Sequence, residues 1–334
     1  MLFRSQRAIG KFLFLICFFL VANGGHAQKP AAGTLVYPTK PVRVIIPGAT
    51  GDTCDTMLRL IGHKFMEKTG YSFVMDNRPG AVGQIGLQFI AQAPADGYTI
   101  GCGQGGNMVI VPLAYKKVAY DSTKDFQPLA LLASNYLALA VPAQSQFKTT
   151  RELIAYAKAN PNKLTFGTNG EGAFLHFATE LFRREAGFTY FHVPFKNAGL
   201  IVTDLIGGRI DATLGAFITV QAQAVAGRLR ILGVARESRA PNYPQFPTLS
   251  ETGVPGFTSG GWFGAIGPVG MPKAVVDMLN SEMNAAMKTP DIREKASILG
   301  LDLHTESPEF FTKTIRGDFD KWGKLAREAG FKPQ

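Results

Sequence analysis

Past the first two dozen residues, no stretch of this chain is long and apolar enough to cross a membrane. The formal charge is +10, yet there is no dense stripe of Lys and Arg. The cations stand singly among apolar residues, which argues against nucleic acid and for a solvated basic surface that steers anions. His63, His176, His192 and His304 have no metal-ligand spacing with one another or with cysteine, so no metal site is assigned. There is no G-x-S-x-G elbow, no H-E-x-x-H and no Walker loop, so no catalytic residue and no cofactor is assigned. Short repeats and low-complexity tracts are also missing.

Cysteine is scarce, with three in 334 residues. Cys17 lies inside an apolar run with more apolar residues after it. A lipid-anchor cysteine would sit at a cleavage point. Cys54 and Cys102 remain, the first expected at the start of a helix and the second at the end of a third strand. In a doubly wound sheet of order 2-1-3 those positions are neighbours. An oxidising compartment permits a bridge, but sequence cannot supply the Cβ geometry, so the pairing stays open.

The N-terminus reads as an export signal. Arg4, Arg7 and Lys11 precede an apolar run from Phe12 to Ala22, and Gly25-His26-Ala27 is a small-x-small cleavage site. Cleavage near Ala27 places the product in the periplasm, leaves 307 of the 334 residues, and lowers the charge from +10 to +7. That length accommodates two lobes with separate cores.

Two segments share one local design. Val42–Pro47, an apolar β-branched run, leads into Gly48-Ala49-Thr50-Gly51-Asp52-Thr53 and then a helical pattern. Leu164-Thr165-Phe166 leads into Gly167-Thr168-Asn169-Gly170-Glu171-Gly172 and another helical pattern. A strand, a glycine-rich turn and a helix start form a nest of outward backbone N–H groups that binds anions. Thr168 and Asn169 can donate to carboxylate oxygens. Asp52 at N-cap with Asp55 at N3 resembles a capping box, and the cap is the favoured role for Asp52 over contact with a ligand hydroxyl or cation. His176 reads as a packed structural histidine. Lys196, after Pro194-Phe195, is a surface lysine by default, with a cleft role left open by its place at a strand end. Four charge-assisted hydrogen bonds with one or two helix dipoles give roughly 6–16 kcal/mol gross, which suffices for micromolar binding.

Alternating elements predict parallel α/β sheets. Strands are expected at 42–47, 71–75, 98–100, 136–141, 164–166, 190–193, 210–214, 231–235 and 262–266. Helices are expected at 53–69, 85–93, 150–160, 173–186, 200–206, 273–288 and 308–330. Residues 28–140 with 258–334 form lobe 1 and residues 141–257 form lobe 2, a layout with at least two crossings, as in a hinged clamp. Gly101 to Gly106 contains a literal G-x-G-x-x-G, with Asp121 about twenty residues on. It follows the third strand and precedes a poor helix containing Pro112, so a dinucleotide site is rejected in favour of a flexible cleft-edge loop carrying Gln104.

Tyr37 to Pro47, Asp76-Asn77-Arg78-Pro79-Gly80-Ala81 with Gly83, Ala95-Asp96-Gly97-Tyr98-Thr99, Phe246-Pro247-Thr248-Leu249 and Trp262-Phe263-Gly264 resemble motifs of one family. It is the Bug-type periplasmic solute-binding proteins of tripartite tricarboxylate transporter systems, and the likeness spans nearly the whole mature chain. The resemblance implies an α/β Venus-flytrap fold of two lobes, each a mainly parallel sheet flanked by helices. It implies a small carboxylate held between the loops at Gly48–Asp55 and Gly167–Gly172. From those loops the expected ligand set takes Gly48, Ala49, Thr50, Gly51, Asp52, Thr168, Asn169, Gly170 and Gly172, and the cleft-edge positions Gln104, Phe195 and Lys196 are added to it as this chain's own candidates. The expected partners are that carboxylate and the membrane transporter subunits, with the receptor a monomer. Asp52, the neighbourhood of Cys54, and Val82 depart from the usual glycines, which bears on ligand identity. A ligand-loaded co-sensor for a histidine kinase and a secreted enzyme acting on a carboxylate or ester are the competing readings.

Overall fold

β-branched residues make up most of the first strand. The computed structural model describes residues 37–331 and 333, so the export segment expected over 1–27 lies outside the described residues. In the first half lie β1 (Val42–Ile46), α1 (Thr53–Thr69), β2 (Phe73–Asn77), α2 (Gln84–Ala91) and β3 (Thr99–Gln104). A π-helical turn (Gly106–Ile110) then runs into α3 (Val111–Ala114), followed by β4 (Phe126–Asn135). The middle comprises β5 (Leu137–Pro142), α4 (Thr150–Ala159), β6 (Thr165–Thr168), α5 (Phe174–Ala186) and β7 (Phe191–Pro194). It continues with α6 (Ala198–Ile206), β8 (Thr213–Ala216), α7 (Phe217–Val225), β9 (Leu229–Val234) and α8 (Leu249–Thr252). The chain closes with β10 (Trp262–Pro268), α9 (Lys273–Met287), α10 (Pro290–Ile298), β11 (Leu301–Leu303) and α11 (Pro308–Glu328).

The first sheet has the order β11-β4-β10-β3-β1-β2, so the expected 2-1-3 arrangement is present. β1 pairs parallel with β2 and β3, while β10 is antiparallel to both β3 and β4. In the second lobe β5 pairs antiparallel with β8 and β9. β6 and β7 are parallel, and a parallel bridge from Phe166 to Ala212 joins them to the β8 segment. The resulting order β7-β6-β8-β5-β9 repeats β2-β1-β3-β10-β4 of the first lobe. In both lobes one reversed strand sits between the third and fourth parallel ones, so β1 and β6 hold equivalent places.

β4 runs through Tyr136 straight into β5, and the chain returns through Ser259–Gly261 into β10. The two crossings are bonded side by side: Asn135 N–H donates to Gly261 O at 2.8 Å and Leu137 N–H to Ser259 O at 3.1 Å.

Two corrections to the sequence reading concern local structure. The segment after Gln104 is no flexible loop: Asn107 to Val111 are buried and helical. Pro112 stands where the π-helical turn passes into α3, a junction where the hydrogen-bond spacing changes. β2 starts two residues later than expected, at Phe73. The G-x-G-x-x-G run is also explained. Gly101 and Gly103 lie inside β3, where a Cβ would collide with Ile90 and with Met108 Sδ respectively. They admit a close-packed helix and are no phosphate turn.

Cys54, in the first turn of α1, and Cys102, in β3, are joined by a disulfide with Cα atoms 6.6 Å apart. Both are fully buried beneath the first turn, among Ile46, Met57 and Leu58. The bridge spans 48 residues of sequence. Loop-closure entropy for such a span gives about 4 kcal/mol, with measured bridges typically at 2–4. The Cys54→Ser, Cys102→Ser double variant is expected to lose about 2–4 kcal/mol in urea unfolding, and thiol reductant should lower the parent protein toward the same midpoint.

Candidate functional site

Each glycine-rich turn ends a parallel strand at the carboxyl edge of its sheet, the place where open α/β sheets bind ligands. In the first turn, Asp52 is the N-cap of α1 and accepts from Asp55 N–H at 2.8 Å. Asp55 in turn accepts from Gly51 N–H at 2.9 Å, one residue earlier than a capping box would have it. Asp52 N–H is taken by Ala49 O at 3.2 Å. The amides of Ala49, Thr50 and Thr53 have no hydrogen-bond partner among the described residues. Ala49, Thr50 and Gly51 are exposed.

The two acids in this turn differ. Asp55 is buried, and the Arg59 guanidinium grips both its oxygens at 2.9 Å, with Asn77 Nδ2 adding a bond at 3.1 Å. The bonds from Arg59 hold its carboxyl below the usual range. Asp52 has no cationic partner among the described residues, and burial pushes its carboxyl up. Gly48 permits this placement, since a Cβ there would collide with the Asp52 carboxylate.

A neighbouring loop supports the turn. Asn77 Nδ2 also donates to Gly48 O at 3.3 Å. Arg43 Nε and Arg78 Nε meet Asp76 Oδ2 at 2.9 and 3.0 Å, and both guanidiniums lie over the Phe89 ring. This cluster fixes the end of β2. The chain then takes four successive positive φ values: Gly80 (129°), Ala81 (45°), Val82 (55°) and Gly83 (88°). A β-branched residue in that region is strained by about 1–3 kcal/mol. Gly83 and Gly86 bring the start of α2 hard against Pro47, and a Cβ on Gly83 would also meet Asn107. Gln104, half-buried at the end of β3, gives its N–H to Asn107 Oδ1 at 2.9 Å. The strained loop and Asn107 were not picked out as site elements from sequence. The Asp76–Gly83 motif was the available signal.

In the second turn, Asn169 Oδ1 accepts from Leu175 N–H at 3.2 Å and so caps α5 from a distance. His176 Nδ1 accepts from Gly172 N–H at 3.1 Å, and Ala173 N–H reaches Gly170 O at 3.3 Å. The amides of Asn169, Gly170 and Glu171 have no partner among the described residues. Thr168 is fully buried, with its hydroxyl 2.6 Å from His192 Nε2. The Phe195 ring packs beside Gly167, and Phe195 N–H donates to Thr168 O at 2.9 Å. Lys196 is exposed. A Cβ on Gly172 would lie 3.5 Å from Ala114 Cβ in α3, so this turn touches the element that follows β3 of the other lobe.

A cavity of about 470 Å³ borders the second turn at Glu171, Gly172 and His176. Another of about 500 Å³ lies on the crossing strands, lined by Tyr136, Ser259, Trp262 and Asp318, and touches neither turn. The larger cavity contains none of the residues expected from sequence, and the smaller contains Gly172 alone of them. No group of three or more His, Cys, Asp or Glu among the described residues could hold a metal ion. No helix among them is long and apolar enough to cross a membrane.

His176 and His192 stack with ring centroids 3.9 Å apart and planes within 14°. Burial, and then the neighbouring His192, brings His176 down to about 4, and burial lowers His192 as well. Nδ1 of His176 accepts a backbone N–H, so protonation there breaks that bond.

The sequence profile described as "Tripartite tricarboxylate transporter family receptor" matches residues 57–331. A Pseudomonas sp. (strain P51) protein, the "UPF0065 protein in tcbD-tcbE intergenic region", is 35% identical over 94% of this chain and 92% of its own length. The Bordetella pertussis "Protein BugT" is 28% identical over 96% of this chain and 98% of its own. Among solved structures, R. palustris Rpa4515 with adipate has a TM-score of 0.79 and 32% identity, covering 89% of this chain and all of that one. MatC from Rhodopseudomonas palustris with bound malate has a TM-score of 0.73 and 27% identity, covering 86% of this chain and 99% of the other.

A histidine whose folded value lies below its unfolded value near 6.5 contributes stability that is complete above 6.5 and lost as pH falls toward 4. Urea stability is therefore expected to drop across that window by up to about 1.4 kcal/mol per pH unit for each such histidine. In His176→Gln, whose amide oxygen can still accept from Gly172, the slope should flatten.

Proposed function

This chain belongs to the tripartite tricarboxylate transporter receptor family, and from that premise we propose that it is an exported periplasmic receptor for a small carboxylate. The ligand sits between the lobes, gripped by the turns at Gly48–Asp55 and Gly167–Gly172, and passes unaltered to membrane transporter subunits. The receptor acts as a monomer and carries out no chemistry. Its lobes divide at Tyr136 and at Ser259–Gly261, a few residues from the boundaries at 140/141 and 257/258 read from sequence.

One observation carries the reading. At equivalent places in two lobes of matching topology, β1 and β6 each end in a turn whose unpartnered amides stand beside a helix start. Such amides and the helix dipole favour a negative guest without a basic side chain. The adipate and malate held by the R. palustris relatives support a carboxylic acid as that guest.

Thermal-shift measurement against a panel of mono-, di- and tricarboxylic acids tests the class. A true ligand at one hundred times its Kd should add about 2.7 kcal/mol of stability. If no acid in the panel stabilises the protein at millimolar concentration, the reading fails. The second turn is tested by Gly170→Ala. Gly170 has φ +117°, and an added Cβ would meet only Phe195 O at 3.9 Å. The methyl group therefore has space, while the backbone must turn away from a conformation alanine disfavours. Affinity should fall by about tenfold or more in a folded variant, since each lost amide contact to a charged group is worth ~1.5–3 kcal/mol. Unchanged affinity would remove the second turn from the site.

A further inference from the structure

The two turns differ in the charge of their capping groups, which bears on what can bind. In the first turn two carboxylates stand among the amides that would receive an anion. Asp55 is neutralised by Arg59 and fully bonded. Asp52 is not neutralised: among the described residues it forms no ion pair, and its carboxylate lies over Gly48, on the exposed turn itself. An incoming carboxylate at Ala49 or Thr50 would meet this like charge at close range in partly desolvated surroundings, where repulsion is poorly screened. The second turn also contains an exposed acid, Glu171, in no ion pair among the described residues, but no acid caps the helix of that turn. Its capping group is the neutral amide of Asn169, and Lys196 stands exposed beyond the strand end that follows.

Resting on the carboxylate reading above, we propose that Asp52 makes the first turn select a hydrogen-bond donor. The ligand offers its carboxylate to the second turn and a hydroxyl or ammonium group to Asp52 at the first. The substrate class is therefore a hydroxy or amino acid with its two polar ends separated, and a simple dicarboxylate is disfavoured. An ammonium would be the cationic partner that Asp52 has nowhere among the described residues. A hydroxyl can donate to Asp52 while accepting from a free amide of Ala49 or Thr50.

Asp52→Asn separates this role from capping, because asparagine caps a helix as well as aspartate does. Titration calorimetry would compare matched pairs of equal length: succinate with β-alanine and 3-hydroxypropionate, and adipate with 5-aminopentanoate. The parent protein should prefer the donor-bearing acid of the better-fitting length by about tenfold or more, equivalent to about 1.4 kcal/mol. In Asp52→Asn the ammonium ligand should weaken by at least about that factor and the dicarboxylate should tighten. Equal shifts for both members of a pair, or a parent preference for the dicarboxylate, would overturn the selectivity while leaving carboxylate binding intact. Binding of no acid at all would overturn the carboxylate reading, and this inference with it. Matching urea midpoints for the two proteins would establish that the cap survives.

Discussion

The backbone pairing at the two crossings holds the rest in place. Asn135 and Leu137 bond to Gly261 and Ser259, and Asn135 Oδ1 takes the Gly261 N–H at 2.7 Å. Gly260 lies so close to Asn135 O that a Cβ there would overlap it. This is a position where glycine is required for close approach rather than for a turn. β4 and β5 are continuous through Tyr136, so the same few bonds orient both sheets. The ends of β1 and β6, and with them the two glycine-rich turns, take their directions from that joint.

The turns solve one structural problem with different chemistry. Both cap a helix while leaving several amides free. The first uses charge, with Asp52 and Asp55 as acceptors and Arg59 and Asn77 restraining Asp55. The second uses neutral groups, with Asn169 and His176 as acceptors and the Thr168–His192 contact beneath. The neutral design ties the second turn to the protonation of an imidazole. The charged design leaves one acid without a cation. Two turns lined by main-chain amides can thus differ in the charge of their caps, with no change in the amides themselves.

The loop from Gly80 to Gly83 shows where backbone strain is kept. Val82 is 59% exposed at φ 55°, so neither burial nor hydrogen bonding of its own side chain holds it there. The conformation is imposed from outside, by the Arg43–Asp76–Arg78 cluster over Phe89 and by the seating of α2 on Pro47. That seating places the strained loop next to the first turn. Strain of this kind persists where the surroundings over-determine the backbone, as they do at binding sites.

Much of this was readable from sequence. β1, α1, β6, α5, β10 and the two turns announced themselves through short-range signals: β-branched runs, glycine at strand ends, and helical periodicity with capping residues. The family likeness rested on the same local motifs. Other features were hidden. β4 carries Pro128 within a continuous apolar run, which periodicity cannot tell from a helix, and the helical Gly106–Ala114 segment reads as a poor helix because its β-branched residues are chosen for burial. The Cys54–Cys102 bridge, the His176–His192 stack and the isolation of Asp52 all depend on residues far apart in the chain. Propensity and turn chemistry act over a few residues and so are written locally. The partner of a polar or reactive atom is decided by which strands lie side by side, and that is settled only when the sheets are assembled.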